Sequence, residues 1–446
     1  MMQRTVRIGV PCRRVIAILT AACVVAGVGT GLGQDGPAVP RGFRLASTRP
    51  FILSASPMQN GPGEEPFSRL AHPPQYSFAD LAPDVDVLGV FVEHYGVPWP
   101  QFVAAETPPA DHVWTRTMRE LATAALATGK PVSLQMVLSR DRIAGLARQT
   151  SSGTIEVDSN WAPPCYDFGA NQAHATAYGR YVRWMVREFK PRYVNVAVEI
   201  DKAWRACIGP RWEAMVDAQR LAYDAAKTEA PAVIAMISVN AEDLYGQTVD
   251  GFDETAYKAL ARLKRDRFGL STYPSGLKGS GGQPLRPEEL PVDYFVRTRL
   301  RHPDEAPIAV AETGWNSQPL KLGTPEACVV VVSSSEAVQA AYVDVLLTAA
   351  RAQRLELVTW FSQRDVLPAV VMDSCYARAA APTYAACHGD VWCLGVNIYR
   401  QIAPADLMVG DLVFKGFGSM GLARYDGVPK PALKRWREQL AVPVQR

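Results

Sequence analysis

Residues 307–317 read PIAVAETGWNS, and the rest of the chain can be interpreted outward from this stretch. After the proline come four small or branched apolar residues, as in a short strand that is buried on both faces. The strand runs out at a carboxylate, Glu312, with Gly314 and Trp315 directly behind it. Such a carboxylate either begins a solvated loop or is held at the mouth of a barrel or sheet.

A second stretch repeats the arrangement upstream and favours the barrel interpretation. Residues 193–201 read YVNVAVEID, again an apolar run that ends in a carboxylate, Glu199. Cleavage of a glycosidic bond needs two carboxyl groups, one that donates a proton and one that acts as nucleophile or base. The pair Glu199 and Glu312 is therefore the predicted catalytic pair.

Apolar runs of this kind occur eight times, and helical patterns separate them. They are continuous rather than alternating, as expected for parallel strands covered on both faces. Eight such units predict an α/β fold, a (β/α)₈ TIM barrel, whose site lies at the C-terminal ends of the strands. The predicted strands are 49–57, 85–102, 131–139, 193–201, 232–240, 268–276, 307–312 and 357–365. Tyr273 and Trp360 fall at strand ends together with the two glutamates.

The barrel is expected to fill residues 49–446, with an insertion after strand eight at about 366–419. This insertion carries three of the six cysteines that follow residue 33, and disulfides are expected to hold it in place. Six cysteines allow fifteen pairings, and the sequence does not choose among them. The six are Cys165, Cys207, Cys328, Cys375, Cys387 and Cys393.

Residues 1–33 are expected to be an export signal rather than part of the fold. An apolar run from Val15 to Val28 follows a basic region that contains Arg13 and Arg14. A plain secretory signal is favoured over a twin-arginine signal, a lipoprotein signal or an uncleaved anchor. Residues 34–48 form a flexible tether by composition. The protein is thus expected to be exported (periplasmic, extracellular or envelope-associated), with any membrane contact only through its N-terminus.

The charge and the cysteine spacing of the chain limit the kinds of ligand and partner that are expected. The formal net charge is only +3, and no long basic run occurs outside the extreme N-terminus, so no nucleic acid partner is expected. The six cysteines show no Cys-x-x-Cys spacing, so neither a metal nor another cofactor is expected.

Four short motifs resemble those of known carbohydrate-active enzymes. ETGWNS (312–317) resembles the strand-seven signature of plant-type β-glucanases, and STYP (271–274) the strand-six signature of arabinogalactan endo-β-1,4-galactanases. HYGVPW (94–99) is similar to the strand-two segment of the galactanases, and DGVPKPA (426–432) to the segment before the last helix. From about residue 49 to 440, the chain resembles the clan of (β/α)₈ retaining glycoside hydrolases with acid/base on strand four and nucleophile on strand seven.

The resemblance implies a role for each matching residue. Glu312 would be the nucleophile and Glu199 the general acid/base, with carboxyl groups about 5–5.5 Å apart. Tyr273 would hydrogen-bond Glu312, and Trp360 would floor the subsite of the reacting sugar. The substrate would be a β-linked polysaccharide or oligosaccharide.

One position departs from the clan. An asparagine that contacts the sugar 2-hydroxyl usually precedes the acid/base, and here that position is Val198. Asn195 lies on the same strand face as Glu199 but deeper in the barrel. His94 or Asn240 could supply the missing contact.

Further aromatic residues sit just after predicted strand ends and are candidate sugar platforms: Trp99, Trp161, Trp204 and Trp315. About half of them are expected only to pack loops. Gln135 is expected to point into the barrel, whereas Asp201 is expected to be salt-bridged or solvated at the rim. Two other functions remain open: a non-catalytic carbohydrate-binding barrel, which Val198 favours, and a transglycosylase that uses the same residues.

Overall fold

The computed structural model describes residues 47–57, 78–92, 97–136, 147–149, 155–157, 172–279, 282–324, 327–366, 369–373, 375 and 415–445. All of them belong to one compact unit, Arg41–Arg446. The expected signal (1–33), nearly all of the tether and most of the insertion lie outside the described residues.

Eight strands form a closed parallel barrel, as predicted. Each strand pairs with its neighbours in chain order, and strand eight closes the ring against strand one. The strands are almost entirely buried, since side chains cover the sheet on both faces. Numbered from one to eight, they are Ile52–Ser56, Val87–Val92, Val132–Met136, Tyr193–Asn195, Ile234–Asn240, Arg267–Thr272, Ile308–Thr313 and Leu357–Phe361.

Helices surround the barrel. Asp253 caps the helix after strand five by accepting from the backbone N–H groups of Thr255 and Ala256. Ser335 caps the helix before strand eight by accepting from the Val338 backbone N–H. The α-helices span Phe78–Leu81, Trp99–Ala104, Val113–Ala127, Gln172–Phe189, Asp201–Ala206, Pro210–Glu229, Ala241–Leu244, Glu254–Leu260, Arg297–Arg301, Glu336–Ala352, Ala369–Asp373 and Pro431–Leu440. Short 3₁₀ helices span Ala82–Asp84, Pro274–Gly276, Pro287–Glu289 and Tyr294–Val296.

Two antiparallel hairpins are present in addition to the barrel sheet. One pairs Ala147–Gln149 with Ile155–Val157 after strand three, and the other pairs Leu320–Thr324 with Ala327–Val332 after strand seven. A Cys328–Cys375 disulfide ties the second hairpin to the beginning of the insertion. Cys207 is disulfide-bonded as well.

Arg49 and the last described residues close the N-terminal face of the barrel. The Arg49 N–H donates to the Pro443 carbonyl (2.9 Å), and the Gln445 N–H donates to the Arg49 carbonyl (2.8 Å). The Arg49 guanidinium is buried and pairs with Asp86 at 2.6 Å.

Within the ranges given above, no helix has the length and hydropathy needed to cross a bilayer.

Candidate active site

Glu312 lies at the C-terminal end of strand seven, as predicted. The pairing of strands six and seven shifts by one residue there, since Leu270 lies opposite Val310 and the next residue, Ser271, lies opposite Glu312. Glu312 is almost fully buried, and the hydroxyl of Tyr273 donates a short hydrogen bond to its Oε1. Tyr273 follows strand six, so two neighbouring strands deliver the carboxylate and its phenolic partner to the same end of the barrel.

Glu242, which the sequence analysis missed, holds Tyr273 in place. Its Oε1 accepts from the Tyr273 backbone N–H (2.9 Å), the Thr272 hydroxyl (2.6 Å) and the Tyr294 hydroxyl (2.7 Å). The carboxyl is buried, which raises the pKa of Glu242 above its ordinary value. Glu242 lies two residues beyond the end of predicted strand five (232–240), and this position was the signal by which it could have been found.

Glu199 also lies at this end of the barrel, but its surroundings differ from the prediction. Strand four ends at Asn195, and residues 196–200 form turns instead of continuing the strand to 201. Glu199 has a φ of +51°, a conformation that usually strains a residue with a side chain. Its Oε2 accepts a short hydrogen bond from the Lys202 ammonium, and its backbone N–H donates to Ser238 Oγ (3.2 Å).

A buried polar layer supports Glu199 from inside the barrel. Asn195 Nδ2 donates to Gln135 Oε1 (3.0 Å) and Ser238 Oγ (2.9 Å), and Asn195 Oδ1 accepts from the Ala197 N–H (3.2 Å). Gln135 points inward, as expected, and donates to Ser133. Because the Asn195 amide is engaged in this layer, Asn195 positions the turn beneath Glu199.

Asp201 is buried rather than salt-bridged or solvated at the rim, which corrects the prediction. Its Oδ1 accepts from the Asn240 N–H (2.9 Å), while Asn240 Oδ1 accepts from the Asp243 N–H (2.8 Å). Burial raises the pKa of Asp201 to about 7, against the attraction of the neighbouring Lys202 ammonium. The Asn240 oxygen is therefore used as a helix cap, which leaves only its amide nitrogen for the predicted sugar contact.

Three predicted sugar platforms pack elsewhere, and their assignment is corrected. Trp360 is fully buried, donates to the Met420 carbonyl (2.8 Å) and packs against Trp436. Trp315 packs against Tyr342 of the helix before strand eight, and the buried Trp99 contacts Tyr178 and Tyr181 of the helix after strand three. These rings fill the layer between barrel and helices, so no face is open to a sugar.

The remaining predicted contacts have mixed outcomes. Trp204 is half-buried beneath Arg205 and stays a candidate platform. Trp161 and His94 lie outside the described residues.

A different group of rings lines the barrel mouth beside Glu312. We call Phe91, Tyr273, Phe361 and Phe417 the mouth aromatics. Phe361 contacts Phe91 at 5.7 Å, Tyr273 at 6.3 Å and Phe417 at 5.4 Å between ring centroids. Side chains alternate along a strand, so Phe361 points to the mouth because its neighbour Trp360 points to the helices. The sequence prediction chose the wrong one of two adjacent aromatic residues.

Among the described residues, no group of three or more His, Cys, Asp or Glu side chains is arranged to hold a metal ion. This end of the barrel carries two buried carboxylates in unlike surroundings, Glu199 and Glu312, and aromatic rings lie beside Glu312.

Comparisons with solved structures find barrels of the same kind. An exo-β-1,4-mannosidase, Op5Man5 from Opitutaceae bacterium strain TAV5, matches with a TM-score of 0.52 and 15% identity over 88% of this chain. The match spans 59% of the mannosidase chain. The GH53 catalytic domain of Ignisphaera aggregans matches with a TM-score of 0.50 and 16% identity, over 90% of this chain and 98% of that domain.

No protein-family model and no curated protein matches the chain. At these identities the structural likeness establishes the fold. The protein resembles the (β/α)₈ glycoside hydrolases in its architecture.

Proposed function

We propose that this protein is a retaining glycoside hydrolase that cleaves a β-linked polysaccharide or oligosaccharide. The observation that carries the proposal is Glu312, a buried carboxylate at the end of strand seven with the Tyr273 hydroxyl on it. A hydrogen bond from a phenol favours the ionised form of a carboxylate, which is the form a nucleophile needs.

The reaction proceeds in two steps. Glu312 attacks the anomeric carbon while Glu199 protonates the departing oxygen, which leaves a glycosyl–enzyme ester. Glu199 then removes a proton from water, and the resulting hydroxide displaces Glu312 and releases the sugar with its original anomeric configuration. Glu199 is mostly buried, so changes in its charge are sensitive to nearby groups.

Lys202 sets a condition on this mechanism. Its ammonium contacts Glu199 and favours the carboxylate, whereas the first step needs the carboxylic acid. Lys202 is about a quarter exposed, and it follows Glu199 by three residues at the start of a short helix. We infer that Lys202 leaves Glu199 when substrate binds and that it returns to support the base in the second step.

A second candidate function is a carbohydrate-binding barrel without catalysis. The Lys202–Glu199 ion pair and Val198 favour it, because together they disfavour the proton donor and omit an asparagine beside it. A binding barrel would keep the aromatic mouth and not need a protonated Glu199.

Hydrolysis of β-1,4-mannan, galactan and glucan, and of aryl β-glycosides, tests the proposal. We expect sugar release by the wild type, its loss in Glu312→Gln, and a product whose first-formed anomer is β by NMR. A first-formed α anomer would contradict the retaining mechanism. Binding of a glycan without release would select the second candidate. We also propose that the protein acts after export, which a signal-peptide fusion to a periplasmic reporter checks.

A further inference from the structure

Residues 415–421, which we call the return segment, bring the chain back to the barrel at the end of the insertion. Their only aromatic residue, Phe417, is half-buried and makes edge-on ring contacts with Tyr273 (5.1 Å between centroids) and Phe361 (5.4 Å). Phe417 is therefore a neighbour of the phenol that hydrogen-bonds Glu312.

The residues after Glu312 fasten the return segment. Asn316 Nδ2 donates to the Gly416 carbonyl (2.9 Å) and to Ser419 Oγ (3.3 Å). The backbone N–H and the hydroxyl of Ser317 both donate to the Ser419 carbonyl, at 2.9 and 2.8 Å. The same short motif thus supplies the candidate nucleophile and holds the segment that carries Phe417.

The helix layer fastens the end of the return segment. Gln339 Nε2 donates to the carbonyls of Met420 and Gly421, both at 3.1 Å. Trp360 donates its indole N–H to the Met420 carbonyl at 2.8 Å. The two side chains belong to different elements, so the segment is tied to both the barrel and the helix layer.

A buried ion pair completes the attachment. Lys430 Nζ donates to Asp365 Oδ1 (2.5 Å) and to the Gly421 carbonyl (2.7 Å), while Asp365 Oδ1 accepts from the Gly421 N–H (2.9 Å). Neither side chain is appreciably exposed. Burying an ion pair carries a desolvation penalty that often exceeds the attraction between the two charges. The pair is therefore better explained as a means of positioning the return segment than as a source of stability.

We propose that Phe417 is a sugar-binding platform beside Glu312 and that the return segment is a rigid arm that holds it there. Its ligand is an uncharged sugar ring, which presents an apolar C–H face to an aromatic side chain. The inference rests on the proposed glycoside hydrolase function and assigns that site a wall contributed from beyond strand eight. Asn316 is a positioning residue in this scheme, because it acts through the arm.

Calorimetric titration tests the platform without catalysis. The parent protein is Glu312→Gln, and the probes are three β-1,4-linked tetrasaccharides, of mannose, galactose and glucose. Phe417→Ala should weaken the tightest of these about tenfold, since an aromatic contact of this type contributes on the order of one decade of affinity. Phe417→Trp should stay within about threefold of the parent.

Two further variants separate positioning from a general loss of structure. Asn316→Ala should weaken binding by less than Phe417→Ala does, and the double variant should bind no more weakly than Phe417→Ala alone. Tyr425→Ala removes an exposed ring just beyond the return segment and serves as the matched control, with binding unchanged. Thermal unfolding of every variant checks that the fold persists.

The outcomes are distinguishable. Equal binding by the parent and by Phe417→Ala overturns the platform and leaves the hydrolase proposal standing. Additive effects of Asn316→Ala and Phe417→Ala overturn the arm. Failure of the parent to bind any of the three tetrasaccharides counts against the hydrolase proposal and, with it, this inference.

Discussion

Glu312 and Glu199 occupy corresponding places at the ends of strands seven and four, yet the chain surrounds them differently. Glu312 lies within strand seven, next to an irregularity in its pairing, and accepts from a phenol, whereas Glu199 lies in a turn with positive φ and accepts from an ammonium. A phenol is a neutral donor that stabilises a carboxylate by hydrogen bonding alone, whereas an ammonium also brings a positive charge. The contrast fits the proposed roles of nucleophile for Glu312 and acid/base for Glu199, since the Lys202 ammonium beside Glu199 is a charge that a substitution can remove.

The largest expected effect concerns Glu312. Glu312→Gln should lower kcat on aryl β-glycosides by about 10⁴-fold or more, as expected when a covalent nucleophile is removed. Glu356→Gln is the matched control, because Glu356 pairs with Arg267 before strand eight and lies away from the mouth. Initial-rate measurements on both variants check this prediction. Residual activity above about a tenth of wild type in Glu312→Gln would show that Glu312 is not the nucleophile.

Glu199→Gln should depend on the leaving group. Loss of a general acid lowers rates by about 10²–10⁴-fold for sugars with poor leaving groups. Activated aryl glycosides need little protonation, so their first step should be almost unaffected. The rates on a series of aryl glycosides give the dependence of rate on leaving-group ability. An equal loss of rate on every substrate would contradict an acid role for Glu199.

Tyr273→Phe should lower kcat/KM about tenfold by removing the hydrogen bond to Glu312. Glu242→Leu should act through Tyr273, because Glu242 accepts its backbone N–H. In a Tyr273→Phe background, Glu242→Leu should therefore have a much smaller effect than it has in the wild type. A double-mutant cycle on kcat/KM measures the coupling, and full additivity would show that Glu242 acts on stability alone.

Lys202→Met separates the two carboxylates most directly. Removing the ammonium makes protonated Glu199 easier to form, so the alkaline limb of the kcat/KM profile should move to higher pH. The acidic limb, which we assign to Glu312, should stay in place. Lys264→Met, which breaks an exposed ion pair with Asp224, is the control. A downward shift of the alkaline limb would reverse the role we give to Lys202.

Asp201 is expected to affect stability rather than activity. Burial raises the pKa of Asp201 to about 7 from an ordinary 3.8, so the folded protein holds this proton more tightly than the unfolded chain does. The contribution of Asp201 is thus most favourable below about pH 4 and declines as pH rises toward 7, by up to about 1.4 kcal/mol per pH unit. Asp201→Asn should flatten this decline in urea unfolding curves at pH 5, 6 and 7. If Asp201→Asn leaves the decline of the unfolding free energy with pH unchanged, a group other than Asp201 causes that decline.

The barrel could be predicted from sequence because each of its strands is marked by a local sequence pattern. Each strand is an apolar run such as IAVA before Glu312, and eight runs separated by helical patterns allow few folds. The boundaries near the site were less accurate. Strand four was predicted to continue through Glu199, but the chain turns after Asn195, and nothing in the apolar run VAV marks that turn.

Side-chain direction and long-range partners set the other limits. Trp360 and Phe361 are both suitable platforms by composition, and only the strand register decides which one faces the mouth. The return segment reaches the mouth from about 100 residues beyond Asn316. No periodicity connects positions so far apart, so Phe417 could be found only in the folded structure.

The contact between Arg49 and residues 442–445 also fixes an orientation. Parallel strands place all their beginnings on one face of the barrel and all their ends on the other, and Arg49 lies just before strand one. Arg49 and residues 442–445 therefore lie on the face of the barrel opposite the one that carries Glu312, so a substitution in this contact is separated from the candidate site by the full length of the strands.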